Sequence, residues 1–229
     1  MKPIIRWTIT DVFEPGFEIL NKSVQLFKKL YKNKFETVIC YNNLSESNMK
    51  KLPLVDRLID QSTFANSIHI YPPNAFNPAW KIYPPRLNIN VQEIIIDNDL
   101  IIYEKIPELD LNMIIATEAF ARSYSGPLCN KIKKNINSGF ISLPPGFDLA
   151  NEINTVIDKY SYNWNNYFNE QTLLAFVIEN HQHFILSLDQ IHIAAIECKK
   201  AKYGIHFIGA NKGCKEYWNS YKNKNISIL

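Results

Sequence analysis

The chain has 229 residues, 46% of them hydrophobic and 21% charged, with a net charge of +3. That size and apolar content suit one large domain with a buried core, and the charge is too mild for a nucleic-acid binder, which presents a clustered basic face. Cys40, Cys129, Cys198 and Cys214 form no CxxC pair, so they suggest neither a zinc cluster nor a disulfide framework, and a reduced, cytoplasmic setting is expected. No apolar run suits a signal peptide or a bilayer span, and a soluble protein is expected.

In chain order, IIRWTIT reads as a strand from its β-branched and aromatic content. Phe17, Leu20, Val24, Phe27 and Tyr31 follow at three- and four-residue spacing, which predicts a helix with one buried stripe. TVICYN, from Thr37, is a second short apolar strand. Strand, helix, strand implies a parallel βαβ unit. A helix is expected over 45–60, interrupted at Pro53, and then an irregular loop holding Pro72, Pro73, Pro78, Pro84 and Pro85. EIIID, LIIYEKI and NMIIATEA read as consecutive strands, and 137–143 as another, closed by Pro144-Pro145-Gly146. Helices are expected over 148–160 and 169–180. HFILSLDQIHI and GIHFIGAN are strand-like, and a short helix around Trp218 ends the pattern. Parallel units first and mixed strands later describe a single α/β domain over 1–229, with a mixed, mainly parallel central sheet flanked by helices.

Asp97-Asn98-Asp99 sets two carboxylates one residue apart at the end of an apolar strand. Open α/β sheets bind ligands at the carboxyl ends of their strands, and magnesium or manganese on a diphosphate takes one or two protein carboxylates. The same triplet also suits a polar turn between strands. His206, Gly209 and Lys212 stand at His-x-x-Gly-x-x-Lys spacing near a strand end. Imidazole can complete a manganese shell, lysine can neutralise a phosphate, and glycine admits a close backbone approach. A core-edge histidine with a surface lysine is the plainer account.

With these residues in view, the sequence resembles the glycogenin-like and lipopolysaccharide galactosyltransferase-like family of retaining glycosyltransferases, whose fold is called GT-A. The matching features run in one order: the first strand with Thr8 and Thr10, Lys81 before the acidic strand, IIIDNDL, INSGFISL, NEQTLLA and HFIGANK. The resemblance implies a nucleotide-binding half over 1–99 and a sugar and acceptor half over 100–229. It implies a Mn2+ or Mg2+ ion held by Asp97, Asp99 and His206, with Asp97 also near the ribose. Thr8, Thr10 and Asn98 belong to the donor site, and Lys81 and Lys212 reach the donor, with Gly209 beside them. Asn137, Ser138 and Gly139 line the sugar pocket, and Glu170 and Gln171 lie beside the transferring sugar. The implied reaction moves a hexose from a UDP-sugar to a glycan, lipid-linked or protein acceptor, with retention. Two departures stand out. Glu170 replaces the usual aspartate, and Gly213-Cys214 follow Lys212 where relatives carry Pro-Trp, the nearest tryptophan being Trp218.

Two rival functions are a nucleotidyltransferase on a similar fold and a non-catalytic carbohydrate- or protein-binding module. Against the first, DVFEPGFEI is acidic and has one glycine where a glycine-rich basic loop is expected. There is no Gly-x-Ser-x-Gly elbow, P-loop or dinucleotide fingerprint. His181 and His183 alternate near a strand start with no carboxylate partner in sight, so surface or core-edge positions outweigh a zinc pair. Tyr160, Tyr162, Trp164 and Tyr167 suit either an acceptor platform or ordinary packing. Lys199, Lys200, Lys202, Lys212, Lys215, Lys222 and Lys224 read as a solvated surface or as a patch drawn to an anionic membrane, the latter a peripheral contact at its inner face. The oligomeric state is not legible in the sequence.

Overall fold

A computed structural model describes residues 1–12, 14–63, 86–162, 169–194, 199–208 and 212–223, the last segment with side chains from 215. The proline-rich loop, Trp164 and Tyr167 therefore lie outside the described residues.

Ten strands in two sheets are seen among the described residues. β1 (Ile4–Thr10), β2 (Glu36–Asn42), β3 (Arg57–Asp60), β4 (Glu93–Asp97), β6 (Ile114–Glu118), β7 (Ile136–Leu143) and β8 (His183–Leu186) form the larger sheet in the order β3-β2-β1-β4-β7-β6-β8. β7 pairs antiparallel with β4 and β6, and the other pairs are parallel. All strands but β7 thus end on one edge, where β7 begins. The expected mixed, mainly parallel α/β sheet is the one observed. β5 (Leu100–Ile102), β10 (Gly204–His206) and β9 (Ile191–Ile193) form the smaller sheet.

Helix α1 (Glu14–Tyr31) lies between the sheets. Glu14 in its first turn and Lys28 and Lys29 in its last match the helix dipole. The stripe of Phe17, Leu20, Val24, Phe27 and Tyr31 is buried with Ile5, Trp7 and Ile9 of β1. Ile19 and Leu26 face the other way, onto Ile101, Ile205 and Phe207. Each such large apolar side chain contributes about 1.5–3 kcal/mol by leaving water. Ser23 joins the layers, accepting from Trp7 Nε1 at 2.9 Å and donating to the Leu100 carbonyl at 2.6 Å.

The expected helix over 45–60 is not what forms. Only α2 (Glu46–Met49) is helical, and β3 follows as an edge strand held by its parallel pairing with β2 and by Arg57 against Glu36 at 2.6 Å. A four-residue helix has too few hydrogen bonds to persist alone, whereas the strand gains a partner. Helices α3 (Leu149–Tyr160) and α4 (Asn169–Glu179) match their expected positions, and α3 is capped by Asp148 accepting from the Asn151 N–H at 3.1 Å. The terminal helix α5 (Lys212–Asn223) buries Trp218 and Tyr221 against Phe207.

Candidate metal and nucleotide site

The Asp97-Asn98-Asp99 triplet is the point where the chain leaves one sheet for the other. Asp97 ends β4 in the larger sheet, and Leu100, right after Asp99, opens β5 in the smaller one. β10 runs antiparallel to β5 with His206 opposite Leu100, and the Phe207 N–H donates to the Asp99 carbonyl at 2.9 Å. This register carries His206 across 107 residues to Asp99, with Nε2 3.0 Å from Asp99 Oδ1 and 3.8 Å from Asp97 Oδ2. One ligand atom from each of the three residues lies within 4.8 Å of the others. Among the described residues they form the one such cluster.

The residues fit a divalent ion. Two carboxylates repel one another unless a cation stands between them, and imidazole is a neutral third donor. Two oxygens and one nitrogen suit manganese and its neighbours and leave positions for ligand oxygens. His206 is 4% exposed and the aspartates are half-buried, so the charges sit at the cleft rather than in bulk water.

Gly139 explains the seat of His206. A Cβ at this position would stand 2.1 Å from His206 Cε1, 2.7 Å from Nδ1 and 2.8 Å from Asn137 Oδ1. The imidazole therefore rests on bare backbone, and the Asn137 side chain accepts from the Gly139 N–H at 2.8 Å. A bulge makes this possible. Thr117 pairs with Asn137 but Ala116 with Ile141, so Ser138, Gly139 and Phe140 have no partner on β6. Gly139 and the Asn137 side chain thus lie beside His206 at the bulge.

The remaining expected residues are placed as follows. Thr8 is opposite Asp97 in the β1–β4 register and its hydroxyl lies 3.5 Å from Asp97 Oδ1. Thr10 is two residues on, on the same face. Asn98 turns toward α1, its Nδ2 3.2 Å from where a Cβ on Gly16 would be. Glu170 is buried in the first turn of α4 and Gln171 is half-buried beside it. That turn is fixed by Asn169 donating to Ser125 Oγ at 2.9 Å and Tyr162 Oη at 2.8 Å, and by Thr172 Oγ1 accepting from the Ser125 N–H at 2.9 Å. Glu170 and Gln171 are not members of the acidic cluster. Lys81 and Gly209 lie outside the described residues, as does the side chain of Lys212, whose backbone opens α5.

The reading of His181 as lacking a carboxylate is corrected. Glu152 of α3 lies 3.1 Å from its Nε2, and His183 Nδ1 contacts the His181 carbonyl at 2.9 Å. Tyr160 packs edge-on against Phe176, and Tyr162 donates to the Ser125 carbonyl. Among the C-terminal lysines, Lys222 pairs with Glu18 at 2.6 Å and Lys199 approaches Asp189 at 3.9 Å. No helix among the described residues is long and apolar enough to cross a membrane.

Two residues with a place in this edge went unmarked in the sequence. Asn42 faces Thr10 in the β1–β2 register, and the Gln61 N–H continues the β2–β3 ladder by donating to the Tyr41 carbonyl at 2.8 Å. Reading 45–60 as a helix hid the alignment of Gln61 with Asn42.

No family model and no curated protein sequence matches the chain. Its fold is that of solved glycosyltransferases. The galactosyltransferase LgtC, in complex with donor and acceptor sugar analogues, is similar at a TM-score of 0.61 and 10% identity, over 96% of this chain and 95% of that one. Mouse xyloside xylosyltransferase 1 in its apo form is similar at 0.58 and 11% identity, over 90% and 97%. The bifunctional glycosyltransferase WbbM, also apo, is similar at 0.63 and 16% identity, over 92% of this chain and 46% of that one. The GT-A-like fold implied by the sequence motifs is thus the fold of the chain.

Proposed function

We propose that the chain is a metal-dependent glycosyltransferase that moves a hexose from a uridine diphosphate sugar to an acceptor hydroxyl, with retention, in the reduced cytoplasm. The observation that carries this reading is the convergence of Asp97, Asp99 and His206 at the carboxyl edge of a GT-A-like sheet. These three residues would hold Mn2+ or Mg2+, and an ion there supplies Lewis-acid stabilisation of the departing diphosphate.

In this reading the chain binds and orients. Thr8 and Thr10 line the path of the nucleoside beside Asp97. Lys81 and Lys212 contribute positive charge to the leaving phosphates, a role that rests on their place in the motif order. Asn137, Ser138 and Gly139 border the hexose, a role that rests on their place in the motif order and on the contact of Gly139 with His206. Glu170 and Gln171 stand beside the transferring sugar, with Glu170 as the carboxylate available to the anomeric centre. Its longer side chain starts from a helix turn that Asn169 and Thr172 hold in place.

Titration calorimetry with UDP tests the donor site. Affinity should rise at least about tenfold with manganese over the chelated protein, because Asp97, Asp99 and His206 would hold the ion and its charge would offset that of the diphosphate. Equal affinity in both conditions would refute metal-dependent donor binding. Release of hexose from UDP-hexose would then separate an active transferase from a binding module.

A further inference from the structure

Between β6 and β7 run 17 residues, Ala119 to Asn135, with no aspartate or glutamate among them and with Arg122, Lys131, Lys133 and Lys134. β6 ends and β7 begins at the carboxyl edge of the sheet, so both ends of this loop stand where the metal cluster lies. The Ala119 N–H donates to the Asn135 carbonyl at 2.9 Å and closes the loop at its base. Two residues on, Asn137 opens the stretch that reaches Gly139 and His206. The middle of the loop is docked on the first turn of α4, where Thr172 Oγ1 and Asn169 Nδ2 hold Ser125. That turn carries Glu170 and Gln171, so the loop borders both parts of the candidate site.

The loop is built to present its charge. Arg122 donates to the Cys129 and Ile132 carbonyls, and its guanidinium lies 5.5 Å over the Tyr124 ring. Tyr124 Oη donates to the Lys134 carbonyl and accepts from the Ile136 N–H, both at 2.7 Å. Glu179, at the end of α4, accepts from the backbone N–H groups of Lys133 and Lys134. The side chains of Lys131, Lys133 and Lys134 are exposed. Lys159 of α3 joins them, because Lys131 Nζ and Lys159 Nζ each lie 5.5 Å from the centre of the Tyr160 ring. The two ammonium groups are thus within about one Debye length of each other at ordinary salt. Among the described residues, none of these five basic groups is ion-paired with a carboxylate. Glu118, just before the loop, accepts from the Leu188 N–H at 3.2 Å instead. Asp158 and Glu179 are the acidic neighbours, and the five basic groups outnumber them. Lysines gathered on a pinned, acid-free loop make a local positive field that draws an anion.

We infer that the β6–β7 loop selects an anionic acceptor, a glycan that carries a phosphate or a carboxylate beyond the sugar that receives the hexose. The inference rests on the transferase reading above and adds the chemical class of the acceptor. At a rise of about 1.5 Å per residue, Glu179 stands about 14 Å along α4 from Glu170. The lysines gripped there meet a part of the acceptor remote from the reacting hydroxyl, so they bind the acceptor without entering the chemistry. A bilayer suits the loop less well. A segment that lies in a membrane surface buries several apolar side chains beside its basic ones, and the large apolar side chain exposed on this loop is Phe120 alone.

The test is the fluorescently labelled full chain, with UDP and manganese, on an array of oligosaccharides printed as matched neutral, phosphate-bearing and uronate-bearing members. The wild type should bind anionic members at least about tenfold more tightly than their neutral partners, and high salt should remove the difference. The triple variant Lys131→Gln, Lys133→Gln, Lys134→Gln should lose about tenfold on anionic members and nothing on neutral ones. A control with the same change in charge outside the loop, Lys2→Gln, Lys29→Gln, Lys105→Gln, should bind as wild type. Calorimetry with UDP and manganese should give the wild-type Kd in both variants. Sedimentation with vesicles of phosphatidylcholine, alone or mixed with phosphatidylserine, separates a glycan from a bilayer. If the triple variant loses only its binding to the mixed vesicles, the loop serves a membrane and the inference is overturned. Equal binding of neutral and anionic glycans, a preference that ignores salt, or an equal loss in the control would also overturn it. The transferase reading then stands as long as UDP binds with manganese. If the triple variant does not fold, the salt series of the wild type on the matched pairs decides. A wild type that binds no UDP with manganese would overturn the transferase reading, and the acceptor role with it, whatever the array shows.

Discussion

Gly139 and His206 act as one unit at the scale of single residues. The imidazole needs the space above the Gly139 backbone, and even a methyl group there would fall 2.1 Å from its Cε1. Gly139→Ala should therefore displace His206 from Asp99 and weaken manganese binding by about 10–100-fold, as loss of a ligand-orienting contact does. His206→Ala should do the same by removing the ligand. His181→Ala should leave manganese binding unchanged, since its carboxylate contact is Glu152. Electron paramagnetic resonance of bound manganese reads all three, and a Gly139→Ala variant that titrates like wild type would end the seating argument. The acidic triplet and His206 were legible as residue types and spacing, and motif order placed Gly139 at the sugar. The contact between Gly139 and His206 was not legible, because it depends on a bulge whose register exists only between paired strands.

Elements are positioned by a buried ionic junction at the opposite end of the sheet from the cluster. Glu93 at the start of β4 lies 3.1 Å from Arg6 Nε of β1 and 3.3 Å from Arg86 Nε, with all three side chains almost fully buried. Its second oxygen also accepts from the Leu87 N–H at 2.9 Å. Arg86 donates onward to the Pro144 and Phe147 carbonyls at 2.9 and 2.7 Å, which ties β7's exit to β4. Burial pushes the Arg86 guanidinium down from its ordinary pKa, and the Glu93 carboxylate opposes that shift. Glu93→Ala would leave two buried guanidinium groups without their counter-charge and should cost about 3–5 kcal/mol. Urea unfolding checks this, and a loss below about 1 kcal/mol would mean that water reaches the junction. Strongly periodic elements such as α1, α3 and α4 were legible from sequence. The edge strand β3 was not, because its stability comes from β2 and from the Arg57–Glu36 pair rather than from its own four residues.

At the scale of the molecule, the cluster bridges two sheets. Asp97 belongs to the larger, His206 to the smaller, and Asp99 to the crossing between them. An ion held by all three ties the sheets together only in the folded state, so manganese at about 100 times its Kd should add about 2.7 kcal/mol of stability. Ser23 makes the same connection from below, through Trp7 Nε1 and the Leu100 carbonyl. Ser23→Ala strands both buried partners and should lower stability by about 1–3 kcal/mol. Thermal melts with and without manganese report both effects, and a melt indifferent to manganese would argue against a bridging ion.

By itself the sequence determined the α/β class, the opening βαβ unit, the carboxylate pair at a strand end and the order of the motifs. These are local properties, set by periodicity, propensity and spacing within a few residues. Only the tertiary structure decided that β4 and β5 part into different sheets, that β10 returns His206 to Asp99, and that Asn42 and Gln61 fall in one row with Thr10. Each depends on which strands pair and in what register. Pairing joins residues 13 to 106 positions apart, and its energy comes from cross-strand hydrogen bonds and shared burial that no single segment contains.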